Sequence, residues 1–73
     1  MLNNMKTELE KKLNKLPEYI NSDNIFYFLL IRKNNSNWII EYVDVITENT
    51  LILVNHKSLQ AAVDTTLKEI KNL

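Results

Sequence analysis

Hydrophobic residues near the N-terminus recur at intervals of three and four, which places them along one face of a helix. The opposite face carries a mixture of lysine and glutamate. We expect this helix to end at Pro17, because the residue before a proline is disfavoured in the helical conformation, and a short further turn to occupy 17–20. The apolar stripe consists of Leu2, Met5, Leu9, Leu13 and Leu16.

A second amphipathic pattern occupies the C-terminal end of the chain. Ser58 precedes it and is typical of a helix N-cap, whose side chain accepts a hydrogen bond from a backbone N–H of the first turn. Lys68 and Lys71 lie near the other end, where the helix dipole favours positive charge. The apolar positions are Leu59, Ala62, Val63, Thr66, Leu67, Ile70 and Leu73.

Three central segments rich in aromatic and β-branched residues predict strands. These segments are residues 25–31, 38–46 and 51–54. Polar residues at 33–37 and 47–49 separate them, and asparagine is the residue that best replaces glycine in left-handed turns. We expect two hairpins, with Asn49 left-handed in the second. The prediction is one α+β domain over 1–73, of order α-β-β-β-α, with a three-stranded antiparallel sheet packed against two helices.

The predicted sheet is more apolar than two helices on one side would require. In the first strand Phe26, Phe28 and Leu30 alternate with other apolar residues, so both faces of the strand are apolar. An antiparallel sheet covered on one face usually presents a polar second face. Either the two helices lie on opposite faces, or one apolar face contacts a partner protein or a second copy of the chain. We favour the second interpretation.

This apolar surplus indicates which residues contact a partner. Aromatic residues dominate the energetics of protein interfaces, and acidic residues can enter a basic nucleic-acid channel of a partner by charge complementarity. The predicted contacts are Phe26, Phe28, Trp38, Tyr42, Glu41, Asp44 and Glu48.

Composition removes most kinds of catalytic site. The 73 residues include no cysteine, no glycine and one histidine, so the chain lacks thiolate metal ligands, an imidazole cluster and a glycine-rich phosphate loop. His56 and Ser58 are close in sequence, with Asp44 or Asp64 as candidate third groups, but residues two apart at the start of a helix rarely face each other. We therefore predict no enzymatic activity, no metal and no cofactor.

Nucleic-acid binding is the alternative function. Nine basic residues balance nine acidic ones, whereas nucleic-acid-binding domains usually carry a strong basic excess, so we do not favour it. The contacts of such a module would be the basic residues Lys11, Lys12, Lys15, Arg32, Lys33 and Lys57.

Two families resemble parts of this chain. The predicted order, with residues 56–60 (HKSLQ) at the start of the last helix, resembles a double-stranded-RNA-binding domain, and this resemblance implies an RNA contact at Lys57. Residues 37–42 (NWIIEY) and 58–63 (SLQAAV) resemble the small HicB-like antitoxin fold. The second resemblance implies that the chain neutralises a small toxin.

The chain resembles phage-encoded inhibitors of bacterial defence, including anti-CRISPR proteins. The shared features are small size, the absence of cysteine and glycine, and the lack of a recognisable catalytic motif. The leading hypothesis is therefore a non-enzymatic inhibitor that docks on a larger protein, such as a CRISPR effector or another defence nuclease. The longest apolar run, 25–31, is much shorter than the roughly 20 residues of a membrane span, and no signal-peptide pattern begins the chain. We expect a cytoplasmic protein, in the host cell if it is phage-encoded.

Overall fold

The computed structural model describes residues 7–73, so the stripe positions Leu2 and Met5 lie outside the described residues. Helix α1 spans Glu8–Leu13. Its start is capped reciprocally: Thr7 Oγ1 accepts from the Glu10 N–H at 3.1 Å, and Glu10 Oε1 accepts from the Thr7 N–H at 3.0 Å.

Helix α1 ends at Leu13 rather than at Pro17. The N–H groups of Lys15 and Leu16 bond to carbonyls three residues back instead of four, at 3.0 and 3.1 Å. In this tightened last turn, carbonyl groups at the end of the helix accept hydrogen bonds before the chain reaches the proline. Leu16 nevertheless keeps its predicted inward position and is buried.

The sheet has four strands, one more than the sequence predicted. Strand β1 spans Tyr19–Ser22, where we had expected the end of a short helical turn. It pairs with the next strand through a two-residue loop, Asp23 and Asn24, both of which have positive φ angles of 55° and 67°. Such a loop matches the twist of the flanking strands. The chain therefore forms a hairpin at a point where no glycine signals one.

The remaining elements follow the predicted order. Strands β2, β3 and β4 and helix α2 span Ile25–Asn34, Asn37–Val43, Thr50–His56 and Leu59–Lys71. The strands lie in the order β1-β2-β3-β4, and every neighbouring pair is antiparallel. The predicted α+β class is confirmed, but the sheet has four strands instead of the predicted three.

One of the two predicted polar turns has its left-handed residue at an asparagine, as expected, and the other does not. Asn35 has a φ of 59° in the loop between β2 and β3, as expected for asparagine in a glycine-free hairpin. In the second turn the left-handed residue is Glu48, with a φ of 65°, and not Asn49. The reason is that Asp44 ends β3 early: its carbonyl accepts from the Glu48 N–H at 2.6 Å, and its N–H donates to the Asn49 carbonyl at 2.8 Å.

Both helices pack on the same face of the sheet. Helix α2 begins after Ser58, whose Oγ accepts from the Ala61 N–H at 3.2 Å, so the predicted N-cap is confirmed. The interpretation in which one helix covers each face is wrong, because the turn after α1 and the buried stripe of α2 meet a single set of strand residues. The core consists of Leu16, Ile40, Tyr42, Ile52, Val54, Ala62 and Val63.

Candidate functional site

The side of the sheet opposite the helices, here called the open face, is strongly apolar. Its residues follow from strand register, since side chains directly opposite each other on paired strands share a face. One row joins Tyr19 to Phe28, and another joins Leu30 to Glu41 and Leu53. The apolar and charged residues of this face, with Asn55, are Tyr19, Phe26, Phe28, Leu30, Arg32, Ile39, Glu41, Val43, Leu53 and Asn55, and the other polar residues are Asn21, Asn34, Asn37 and Thr50.

The large apolar side chains of the open face remain accessible. Tyr19, Phe26 and Phe28 are 50%, 47% and 43% exposed, and Leu30 and Leu53 are 44% and 61% exposed. Single exposed apolar residues are ordinary on protein surfaces, but a contiguous group usually marks an interaction site. The sequence predicted Phe26 and Phe28 in this role and missed Tyr19, Leu30 and Leu53. The alternation along residues 25–31 could have identified Leu30.

Strand β1 organises the aromatic side chains. The Tyr19 ring lies edge-on to Phe26, with centroids 5.3 Å apart and planes at 66°, and it lies 6.1 Å from the Phe28 ring. Edge-to-face and tilted pairs are the favoured arrangements of aromatic rings. The three rings therefore form an ordered cluster, here called the aromatic cluster, at one corner of the open face.

A shallow groove of about 440 Å³ lies beside the aromatic cluster. The loop after β3 forms one wall of this groove, and two of its apolar residues, Val45 and Ile46, are 65% and 88% exposed. The sequence pattern predicts a strand at both positions, but β3 ends at Val43. The lining residues are Asn24, Ile25, Phe26, Phe28, Asp44, Val45, Ile46 and Thr47.

Asp44 shapes the wall of the groove. Its Oδ1 accepts from the Ile46 N–H at 3.0 Å, and its Oδ2 accepts from the Thr47 hydroxyl at 2.7 Å. The Thr47 and Ile46 hydrogen bonds hold the pKa of the Asp44 carboxyl below its usual value. Both oxygens are therefore engaged within the loop. The predicted contact of Asp44 with a partner stays a prediction.

The other two predicted acidic contacts occupy different settings. Glu41 lies near the middle of the open face, where its Oε2 accepts from Arg32 Nε at 3.1 Å, and its side chain is only 13% exposed. Glu48 is exposed in the loop after β3. The acidic residues do not form one surface, and the pair formed by Arg32 and Glu41 is electrically neutral.

Tyr42 and Trp38 lie on the helix side of β3, because they share the parity of the buried Ile40. Tyr42 is fully buried, and burial raises the pKa of its hydroxyl to about 12. Trp38 is partly buried and packs against the core, with Lys33 Nζ 5.3 Å from the centre of its ring. The two residues were predicted to contact a partner together with Phe26 and Phe28, but the sheet separates them from the open face.

The predicted nucleic-acid contacts are dispersed, and most are engaged within the chain. Lys12 pairs with Asp64 at 2.9 Å on the helix side, whereas Arg32 lies on the open face. Lys11 lies 3.9 Å from Glu8, Lys33 lies over the Trp38 ring, and Lys57 is in the turn before α2. Only Lys15 joins other cations: it lines a second groove with Lys68, Lys71, Leu67 and Ile70.

The residues considered for catalysis do not converge. His56 Nε2 lies 3.2 Å from the Thr65 hydroxyl, while Ser58 caps α2 and Asp64 pairs with Lys12. Within residues 7–73, no group of three or more histidine and carboxylate side chains is placed to hold a metal ion. Neither helix in this described range has the length and apolar character that crossing a membrane requires.

The open face, with its aromatic cluster and its groove, is thus the most distinctive surface of the described residues. No known protein family, no curated protein and no solved structure matches this chain.

Proposed function

We propose that this chain is a non-enzymatic protein-binding module whose open face docks on a larger protein. The observation that carries the proposal is the exposure of five large apolar side chains on one sheet face, between 43% and 61% each. Four strands of four to ten residues, about 4.8 Å apart, give the whole face a projected area of roughly 400 Å². A contiguous group of exposed apolar side chains on such a face is typical of interaction sites.

The exposed loop extends this surface toward the size of a specific interface. Ile46 is 88% exposed and stands beside the groove formed with Phe26 and Phe28. A standard interface buries about 800 Å² on each partner and places its strongest contacts in apolar pockets. We infer that the groove accepts an apolar side chain of the partner, while Ile46 inserts into the partner's surface.

The charges of the open face favour a protein over a nucleic acid. Its described charged residues, Arg32 and Glu41, neutralise each other at 3.1 Å. Binding to a phosphate backbone depends on several unneutralised cations, and this face presents none. The complementary surface is therefore apolar and weakly charged, as on a protein. The lysines around the second groove are the observation that supports a nucleic-acid module instead.

We further propose that the partner is a bacterial defence nuclease, such as a CRISPR effector, and that the chain acts as a phage-encoded inhibitor in the host cytoplasm. Small size and the absence of cysteine and glycine support this choice. A HicB-like antitoxin would be a protein-binding module as well, with a small toxin as its target. The two proposals share the docking mode and differ in the partner.

The test is inhibition of purified CRISPR effectors and other defence nucleases, combined with phage plating on hosts that carry them. Wild-type protein is expected to reduce nuclease activity and restore plating. Phe28→Lys should lose this effect, whereas Leu73→Lys should retain it, because Leu73 is a similarly exposed apolar residue at the C-terminal end. The absence of inhibition across the panel would remove the defence proposal. RNA binding at low salt that weakens steeply with added salt would favour the nucleic-acid alternative.

A further inference from the structure

Strand β4 forms one edge of the sheet. It pairs with β3 on one side, and no other strand of residues 7–73 pairs with its outer side. Its seven residues, Thr50–His56, contain no proline, lysine, arginine or carboxylate. Natural proteins use such residues to stop an edge strand from pairing with another chain. From Ile52 to His56 the outer edge of β4 therefore carries none of these residues, and the irregularity in its pairing with β3 lies at its start, between Thr50 and Ile52.

Strand register shows which backbone groups point outward from this edge. The loop between β2 and β3 has two residues, so the closing pair of Asn34 and Asn37 is the hydrogen-bonded kind. Hydrogen-bonded pairs then alternate along an antiparallel ladder. It follows that Ile40 and Tyr42 direct their backbone groups toward β4.

The partners of those two residues on β4 are Val54 and Ile52. The backbone groups of Ile52 and Val54 are consequently used within the sheet. The intervening residue, Leu53, directs its N–H and C=O groups away from β3, toward the free edge. Its side chain is 61% exposed on the open face.

We propose that a second copy of this chain pairs with β4 in antiparallel orientation, about a two-fold axis that passes beside Leu53. In this register Leu53 lies opposite Leu53 of the second copy, and the two residues exchange reciprocal backbone hydrogen bonds. Ile52 lies opposite Val54 of the second copy on the helix side. The two sheets become one sheet of eight described strands.

A second copy fits this edge because the strand is complementary to itself. Across a two-fold axis, a residue close to the axis lies near the same residue of the second copy. Any charged residue there would therefore face a like charge. Thr50–His56 carries no lysine, arginine or carboxylate. The central pairs are leucine with leucine and isoleucine with valine, which are favourable cross-strand pairs of apolar residues.

Helix α2 also permits this association. It packs on β3 and β4, and Asp64 faces α1 through its ion pair with Lys12. The opposite flank carries Ala61 and Thr65, spaced four residues apart, with Glu69 one turn further on, and the two small residues allow two helices to approach closely beside them. Two α2 helices can therefore lie side by side across the axis, at the roughly 10 Å separation of packed helices.

The dimer would join two open faces edge to edge and leave both exposed. It uses the backbone edge of β4 and, among the five exposed apolar side chains of the open face, Leu53, whereas the proposed function also uses the aromatic cluster and the groove near β1 and β2. The dimer is therefore independent of the proposed function, and either can fail without the other.

Light scattering and sedimentation equilibrium of the full chain, over a wide concentration range, test this proposal. The expected mass is twice that of the 8.6 kDa chain. Leu53→Pro removes an N–H that points away from β3, which edge strands tolerate, so a folded monomer is expected. Leu53→Lys keeps the backbone intact and places two ammonium groups across the axis, so the dissociation constant should rise roughly tenfold or more.

Leu30→Lys is the matched control, because Leu30 lies on the same open face two strands away and is 44% exposed. This variant should remain dimeric. A monomeric wild-type protein would overturn the proposal, as would dimerisation of Leu53→Lys at wild-type strength. Dissociation of Leu30→Lys to the same extent as Leu53→Lys would overturn it too, since that result places the contact on the face instead of the edge.

Discussion

The Tyr42 hydroxyl donates a hydrogen bond of 2.8 Å to the carbonyl oxygen of Pro17, from near the end of β3 to the segment that joins α1 to β1. The tyrosine ring is fully buried between the sheet and the helices. Proline has no N–H of its own, and its carbonyl here has a buried donor as its partner. This contact fixes the chain between the helix layer and the edge strand that carries Tyr19, and hence helps to position the aromatic cluster.

Tyr42→Phe is expected to lower the free energy of unfolding by about 1–2 kcal/mol, because it leaves the Pro17 carbonyl without its donor while the packing changes little. Urea denaturation followed by circular dichroism measures this difference. Tyr27→Phe is the control, since Tyr27 is a partly buried tyrosine on the same side of the sheet, and a smaller loss is expected. Equal losses in the two variants would argue against a special role for the Tyr42 bond.

The raised pKa of Tyr42 predicts a loss of stability in alkali. Burial raises this pKa from 10.0 to about 12, so the folded state holds the phenolic proton more tightly than the unfolded state does. The stabilisation is complete below pH 10 and is lost as the pH rises toward 12. Unfolding free energies measured across this range should fall more steeply for wild type than for Tyr42→Phe. Parallel curves for the two proteins would contradict the assignment.

Asp44→Asn is expected to destabilise the loop after β3 at neutral pH. Asparagine is neutral and places an NH2 group where one of the two carboxylate oxygens lies, so it cannot accept at both positions that the Ile46 N–H and the Thr47 hydroxyl use. Hydrogen exchange at the Ile46 amide should become faster in the variant. Glu48→Gln is the control, because it removes a carboxylate from the same loop without touching these bonds, and it should leave the exchange rate unchanged.

The pH dependence of the Asp44 contribution has the opposite sign to that of Tyr42. The folded-state pKa of Asp44 lies below the ordinary value of 3.8, because hydrogen bonds favour the ionised form. Its contribution is therefore present above that ordinary value and disappears as the pH falls through the lower, folded-state pKa. The stability difference between wild type and Asp44→Asn should shrink in strong acid. A difference that stays constant with pH would rule out the charge as its source.

The two faces of the sheet should respond differently to loss of apolar side chains. Ile40→Ala empties a fully buried position and is expected to cost about 2–5 kcal/mol. Phe28→Thr, at a position 43% exposed, retains a good strand former and should cost about 1 kcal/mol or less. Denaturation midpoints compare the two. A cost for Phe28→Thr equal to that of Ile40→Ala would place the open face within the folding core.

Much of the fold was predictable from local patterns. The stripe from Leu59 to Ile70 and the cap at Ser58 predicted α2, and the asparagine-rich turn predicted the hairpin at Asn35. Strand β1 escaped prediction because it has four residues and follows a proline. The available signal was the pair Asp23 and Asn24, which can adopt two successive left-handed conformations without glycine.

The composition of the candidate site was predicted less well than the fold. Alternation along β2 was enough to identify Phe26 and Phe28, but side-chain type alone suggested that Trp38 and Tyr42 belong with them. Parity along β3 places those two with Ile40, and only the position of the helices shows that this is the covered face. The sequence also did not show that both carboxylate oxygens of Asp44 accept hydrogen bonds within its own loop, because those bonds depend on where β3 ends.

Residue order and type were thus sufficient for the helical and strand periods, for the apolar surplus of the sheet and for the absence of common catalytic motifs, because these depend on neighbours within a few positions. Which face stays open was decided by tertiary structure. The turn after α1 and the apolar stripe of α2 pack against the same strand face around Tyr42. A strand that is apolar on both faces does not by itself indicate which face the helices cover. The packing of the helices determines which face is covered, and the side chains of Tyr19, Phe26 and Phe28 on the other face remain accessible.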